Sequence, residues 1–314
     1  MRKCSHDQLG STRSQKTRRQ GRPRPDRVNT RPVLVIGANG QLGTAIAKGL
    51  PDVVRVGRQA LDLSSVDLAD RTHQLMQAVK PRTVINCAAF TAVDRAESEV
   101  DEAMAVNALA VGVLAEMAAA AAVPFVTFST DYVFDGTSKR PYVESDLPSP
   151  INTYGRTKAL GESYALAHGD GSLVVRTSWL ISGTHSNFVS TILERLRGGS
   201  PVRVVADQHG CPTVASDLAS ATVNAVVAGV AGILHLTNQG PTTWFDLART
   251  ACISAGYDED LIEPITSSDY PTAARRPKNS VLGSERTGNI GIELPPWQES
   301  IDRVITDLSA AGLA

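Results

Sequence analysis

A short apolar run, Pro32-Val-Leu-Val-Ile36, runs straight into Gly37-Ala-Asn-Gly-Gln-Leu-Gly43. Few folds accept a buried strand that turns on three glycines, each three residues from the next, and then opens a helix. The glycines permit a tight turn and let the backbone approach a diphosphate. The first N–H groups of the helix then face that anion. Gly37, Asn39, Gly40, Gln41, Leu42 and Gly43 are therefore candidate cofactor contacts. The plainer alternative is a strand-to-helix turn without a ligand.

The pattern downstream supports the dinucleotide reading. Apolar runs at 53–56, 83–86, 125–128 and 173–176 read as strands, and helical stretches at 67–79, 100–122 and 154–168 lie between them. Strands alternating with helices at this spacing imply βαβ units and a doubly wound parallel sheet of Rossmann type. Beyond residue 180 the alternation loosens, with a helix expected at 188–197, a strand at 233–236 and a last helix at 299–308. The expected organisation is a cofactor-binding domain over 32–180, with a return near 205–245. A smaller C-terminal α/β lobe, mainly 181–314, would hold the substrate.

Residues 1–31 stand apart. They hold ten Lys or Arg against Asp7 and Asp26, a net charge of +8 that leaves −9 for the other residues. So basic and polar a segment reads as a disordered tail. The acidic body offers no basic face for a nucleic acid. No unbroken apolar run approaches the roughly 18 residues of a membrane span, and no secretory signal is seen. Cys4, Cys87, Cys211 and Cys252 are scattered without metal-ligand spacing. Reduced thiols, a cytoplasmic location and no metal are expected.

Chemistry is suggested by Tyr154-Gly-Arg-Thr-Lys158. Four residues apart on a helix, a phenol and an ammonium share a face. The ammonium favours the phenolate and lowers the barrier to proton transfer. Ser129-Thr130 closes a strand at its carboxyl end, where open parallel sheets bind ligands, and offers a hydroxyl to a carbonyl. After the second strand, Arg58 stands where an acidic residue would select NADH. A guanidinium suits a 2′-phosphate, so NADPH is favoured, with NADH the alternative. Asp62 and Leu63 follow and border the adenine side.

The G-x-x-G-x-x-G spacing is similar to that of extended short-chain dehydrogenases/reductases. Longer segments narrow the likeness. Asn86-Cys-Ala-Ala-Phe-Thr-Ala-Val-Asp-Arg-Ala-Glu97, Phe128-Ser-Thr-Asp-Tyr-Val-Phe-Asp-Gly136, Arg176-Thr-Ser-Trp179, Asp207-Gln-His-Gly-Cys-Pro-Thr213 and Arg276-Pro-Lys-Asn-Ser280 closely resemble the dTDP-4-dehydrorhamnose reductase family. The likeness runs from Pro32 to the last helix, with departures at Phe90 and Phe128.

That resemblance implies reduction of the 4-keto group of dTDP-4-dehydro-6-deoxy-L-mannose by NADPH or NADH, the last step of dTDP-L-rhamnose synthesis. It implies Tyr154 as proton donor, Lys158 as its partner, and Thr130 as the hydroxyl that tunes the site. Asp131 and Trp179 would border the sugar and Arg276 its diphosphate. Gln41, Leu42 and Gly43 would line the cofactor's diphosphate. Asp62 and Leu63 would line its adenosine end, and Ala89, Phe90 and Thr91 would follow a strand end beside the cofactor. A homodimer is compatible with it. Two alternatives share the fold: a 4-ketoreductase for another nucleotide-deoxysugar, and a non-catalytic regulatory relative.

Overall fold

A computed structural model describes residues 31–168 and 171–313. The basic tail expected over 1–31 thus lies outside the described residues, apart from Arg31, whose Nε donates to Lys80 O at 2.9 Å.

The first half alternates as its sequence implies. β1 (Val33–Ile36), α1 (Gln41–Lys48), β2 (Val53–Val56), α2 (Leu68–Val79) and β3 (Thr83–Asn86) lead into α3 (Val100–Met104). A π-helical turn, Ala105–Leu109, joins α3 to α4 (Ala110–Ala120). β4 (Phe125–Thr130), α5 (Thr153–Ala167) and β5 (Ser172–Thr177) complete the run. The second half is more broken: β6 (Leu180–Ile181), α6 (Phe188–Leu196), β7 (Val202–Val205), β8 (His209–Gly210), β9 (Thr213–Val214), α7 (Ala215–Val227), β10 (Gly232–His235), β11 (Thr242–Thr243), α8 (Trp244–Ser254), β12 (Ile262–Ile265), α9 (Thr287–Ile290) and α10 (Trp297–Ala310).

Six strands form one parallel sheet in the order β2-β1-β3-β4-β5-β10. β1 and β3 are buried at every position, as strands covered on both faces must be. One face packs Val33, Val35 and Ile85 against Leu42 and Ile46 of α1 and Leu218 and Ala221 of α7. The other packs Leu34, Ile36, Val84 and Phe125 against Val111, Leu114 and Ala118 of α4. The strand order turns back between β1 and β3. That switch point leaves a crevice at the carboxyl edge, where such sheets hold ligands.

The doubly wound class expected from the pattern is therefore the one observed, and the expected strands and helices sit within two residues of the observed ones. A separate core fills the C-terminal part, where Ile181, Leu193, Val204, Leu247, Ile301 and Leu308 meet. Three two-stranded sheets, β6 with β9, β8 with β11 and β7 with β12, frame it.

One helix bears on the membrane expectation. The continuous helix Val100–Ala120 is long and apolar enough, by length and composition alone, to cross a membrane. Glu116 interrupts its apolar stretch, so no unbroken run marks it in the sequence. In the fold 56% of its most apolar window is buried, against the sheet and α5.

Candidate active site

A cavity of about 790 Å³ opens at the switch point, within the range of ligand pockets. The glycine loop contributes Gly37, Asn39, Gly40, Gln41 and Leu42. The β2 end contributes Arg58, Asp62 and Leu63, and the β3 end Ala89, Phe90 and Thr91. Thr130, Tyr154, Lys158 and Trp179 line the same cavity. Three of the expected residues do not line it. Gly43 lies beneath the loop, Asp131 is buried behind Thr130, and Arg276 is held elsewhere by Asp94.

The loop meets the physical demands of a dinucleotide. Gly37 has φ +74°, and a Cβ there would lie 2.5 Å from Ala88 N. A Cβ on Gly43 would lie 2.2 Å from Gly37 O. These two glycines let β1, β3 and α1 close on one another. Gly40, at the helix cap, has only Gly37 O at 3.5 Å in front of it. No side chain caps α1, so its first N–H groups remain available to an anion.

α5 carries the candidate proton donor, and its start is fixed twice. Asn152 caps it, its side chain accepting from Gly155 N at 2.7 Å, and Glu97 accepts from Thr153 N at 2.7 Å. Tyr154 and Lys158 then lie one turn apart on the cavity side. Burial pushes the Tyr154 phenol up to about 12, against a smaller downward pull from the Thr130 hydroxyl. Burial is thus the larger influence on the phenol and favours its protonated form. Lys158 is itself lowered to about 8 by burial, with Glu162 opposing, and its Nζ donates to Phe128 O at 2.6 Å. Thr130 Oγ1 donates to Asp131 Oδ1 at 2.9 Å and accepts from Tyr132 N at 3.2 Å. Asp131, enclosed behind it, is raised to about 6 by burial.

Several supports escaped the sequence reading. Asn107, in the π turn, accepts from Phe90 N at 2.9 Å and donates to Phe90 O at 3.0 Å and to Thr157 Oγ1 at 3.2 Å. It thereby ties the β3 end to the helix of Tyr154. His185 reaches back over the glycine loop, its Nε2 2.9 Å from Asn39 O, and Ser182 Oγ donates to Gln41 Oε1 at 2.9 Å. Glu102 lines the cavity and holds Arg58 Nη2 at 3.2 Å, while Asp62 lies 3.5 Å from Arg58 Nε. Only the asparagine cap before α5 carried a usable local signal.

Arg276 makes a two-point pair with Asp94, at 3.0 and 2.7 Å. Trp179 has φ +46°, a strained conformation for an aromatic residue, worth about 1–3 kcal/mol. The described cysteines, Cys87, Cys211 and Cys252, are free thiols.

The profile of the RmlD substrate binding domain family matches residues 31–310. A dTDP-4-dehydrorhamnose reductase of Burkholderia thailandensis is 38% identical over 293 residues, covering 88% of this chain and 98% of that protein. A Streptomyces antibioticus protein named "Probable dTDP-4,6-dihydroxy-2-methyloxan-3-one 4-ketoreductase" is also 38% identical, over 88% of this chain and 96% of that protein. Among solved structures, the dTDP-4-dehydrorhamnose reductase of Bacillus anthracis in complex with NADP superposes with a TM-score of 0.84, at 31% identity, over 88% of this chain and 99% of that one. With its parallel sheet, its glycine loop and this extent of identity, the chain belongs to the dTDP-4-dehydrorhamnose reductase family.

Proposed function

We propose that this chain reduces the 4-keto group of dTDP-4-dehydro-6-deoxy-L-mannose to dTDP-L-rhamnose with NADPH, closing dTDP-rhamnose biosynthesis in the cytoplasm. The observation that carries the proposal is the convergence of Tyr154, Lys158, Thr130 and Trp179 on one cavity with the glycine loop. In this reading residues 32–180, with a return near 205–245, serve the cofactor. Residues 181–314 mainly serve the nucleotide-sugar, and Arg276 exchanges Asp94 for its diphosphate.

The loop residues Gly37 to Gly43 and the α1 N-terminus would hold the cofactor diphosphate, with Ala89, Phe90 and Thr91 beside the nicotinamide half. When bound, the reduced nicotinamide supplies a hydride to the sugar's C4. The carbonyl electron pair moves onto O4, and Tyr154 gives its phenolic proton to that oxygen. The ammonium of Lys158 stabilises the phenolate left behind until solvent reprotonates it. Thr130 turns its hydroxyl from Asp131 to the same oxygen, so two donors meet the charge where it develops. The part of the Trp179 indole that reaches the cavity borders the sugar and fixes which face receives the hydride.

The test is an assay with purified protein. NADPH should be consumed only when the dTDP-4-dehydro-sugar is supplied, and no turnover with that sugar would defeat the proposal. The Streptomyces relative, as similar in sequence as the Burkholderia one, favours a second reading in which another dTDP-deoxysugar is reduced. NMR of the product, reporting the sugar and its C4 configuration, separates the two. The intact Tyr154, Lys158, Thr130 and Trp179 count against a non-catalytic relative.

Cofactor choice gives a further prediction. Arg58 is exposed, but two carboxylates already neutralise it, so a 2′-phosphate meets a site with net negative charge. Glu102→Gln should raise the ratio of kcat/KM for NADPH over NADH by about 3- to 10-fold, the effect of one nearby charge. An unchanged ratio in side-by-side kinetics would remove Glu102 from cofactor selection.

A further inference from the structure

The proposed chemistry makes no use of Trp244. The structure gives it a sharper place. It opens α8, and its indole lies on that of Trp179, with ring centroids 3.7 Å apart and planes 10° from parallel. Phe188 packs on Trp244 in turn, at 4.5 Å and tilted by 54°. Trp179 is nine-tenths buried, lines the cavity beside Thr130 and Tyr154, and holds its left-handed backbone there.

The small sheet beneath completes the arrangement. β8 and β11 pair antiparallel, with Thr242 opposite Gly210. A Cβ on Gly210 would lie 2.4 Å from Trp179 Cε2 and 2.6 Å from its Nε1. The backbone of one strand is therefore pressed against the indole of Trp179, and the residue that follows the other strand is stacked on it. Thr243 fixes that residue further. It caps α8, accepting from Asp246 N at 3.0 Å and donating to Asp246 Oδ2 at 2.7 Å.

We propose that Trp244 is a positioning residue: together with Gly210 it clamps the Trp179 indole in one plane, and so sets the face of the sugar ring offered to the hydride. The inference rests on the reading that Trp179 borders the sugar. A strained backbone persists only where its surroundings over-determine it. An unbraced indole would relax toward ordinary φ and leave the sugar free to tilt. Trp244 touches none of the reacting atoms, so its loss should act on orientation, and thus on kcat and product configuration, without acting on the cofactor.

The experiment compares Trp244→Phe, Trp244→Leu and Trp179→Ala in the full chain. Two stacked indoles couple excitonically, so the wild type should show a circular-dichroism couplet that Trp244→Phe and Trp179→Ala each abolish. Trp244→Leu should lower kcat about 10- to 100-fold, with the NADPH dissociation constant unchanged, and should yield detectable C4 epimer by NMR. Trp244→Phe, which keeps an aromatic plate, should recover most of the rate. If Trp244→Leu turns over like wild type while Trp179→Ala is impaired, the clamp is overturned and the role of Trp179 stands. If Trp179→Ala itself turns over normally with one product, the reading beneath the clamp fails first. Should Trp244→Leu not fold, an absent couplet in the wild type, or a Trp244→Phe variant as impaired as Trp179→Ala, overturns the clamp.

Discussion

Tyr154→Phe is expected to lower kcat about 10³-fold, the usual worth of a well-placed general acid, while NADPH affinity changes by no more than about two-fold. The substitution removes one oxygen and leaves the ring. Tyr154 packs beside Phe90, Ala96 and Ala103, and its ring meets Tyr132 edge-on with centroids 6.1 Å apart. Phenylalanine keeps those contacts, so neither fold nor cofactor pocket should move. Only the proton is lost. Its pKa, pushed up to about 12 by burial, means that the phenol is in its donating form throughout the working range. The loss should therefore be flat across neutral pH. Stopped-flow kinetics and NADPH fluorescence titration give the two numbers, and turnover within a few-fold of wild type would falsify the assignment of Tyr154.

What the sequence made legible follows from distance along the chain. Gly37, Gly40 and Gly43 lie within seven residues, and Tyr154 and Lys158 within one helical turn, so local spacing alone encodes their geometry. The alternation of apolar runs likewise fixes the parallel sheet. The supports are different in kind. Asn107 acts on Phe90 and Thr157, Glu97 on Thr153, and Asp94 on Arg276 across 182 residues. Nothing near Asn107 announces the π turn that aims it. Arg58 shows both sides of the matter. The sequence located it just after β2, but its reading as a partner for a 2′-phosphate missed Glu102, which arrives from α3, 44 residues on. The clamp on Trp179 was also hidden, because Gly210 and Trp244 meet only through a two-residue ribbon too short to read.

Arg176→Met is expected to destabilise the protein by about 3–5 kcal/mol, the measured range for breaking one side of a buried ion pair. Arg176 is fully enclosed on β5 and bonds Glu162 at two points, Nε to Oε1 at 2.9 Å and Nη2 to Oε2 at 2.7 Å. Its guanidinium carbon also lies 5.1 Å from the Phe134 ring centre. On β10, His235 stands in register beside it. The tautomer follows from the partners: Nδ1 can only donate to Gly283 O, at 2.8 Å, which leaves Nε2 to accept from Arg176 Nη1 at 3.3 Å. Burial lowers the His235 pKa, in keeping with a neutral ring. Glu144 then accepts from His235 N at 3.0 Å and from Glu285 N at 2.8 Å, so the network joins α5, the sheet edge and the C-terminal segment. Methionine would leave Glu162 buried without the two hydrogen bonds that Arg176 gives it, and that unpaired acid is the main loss. The pair itself contributes less than its geometry suggests, because both ions were stripped of water to form it. Arg176→Met combined with Glu162→Leu should consequently be more stable than Arg176→Met alone, a strong departure from additivity that denaturant melts can read. Glu162 lies one turn after Lys158 on the same helix, so the single variant should also lose turnover as α5 shifts. If the double variant instead loses as much as the two single losses added, the unpaired acid is not the cause, and the anchor must be sought in the Phe134 and His235 contacts.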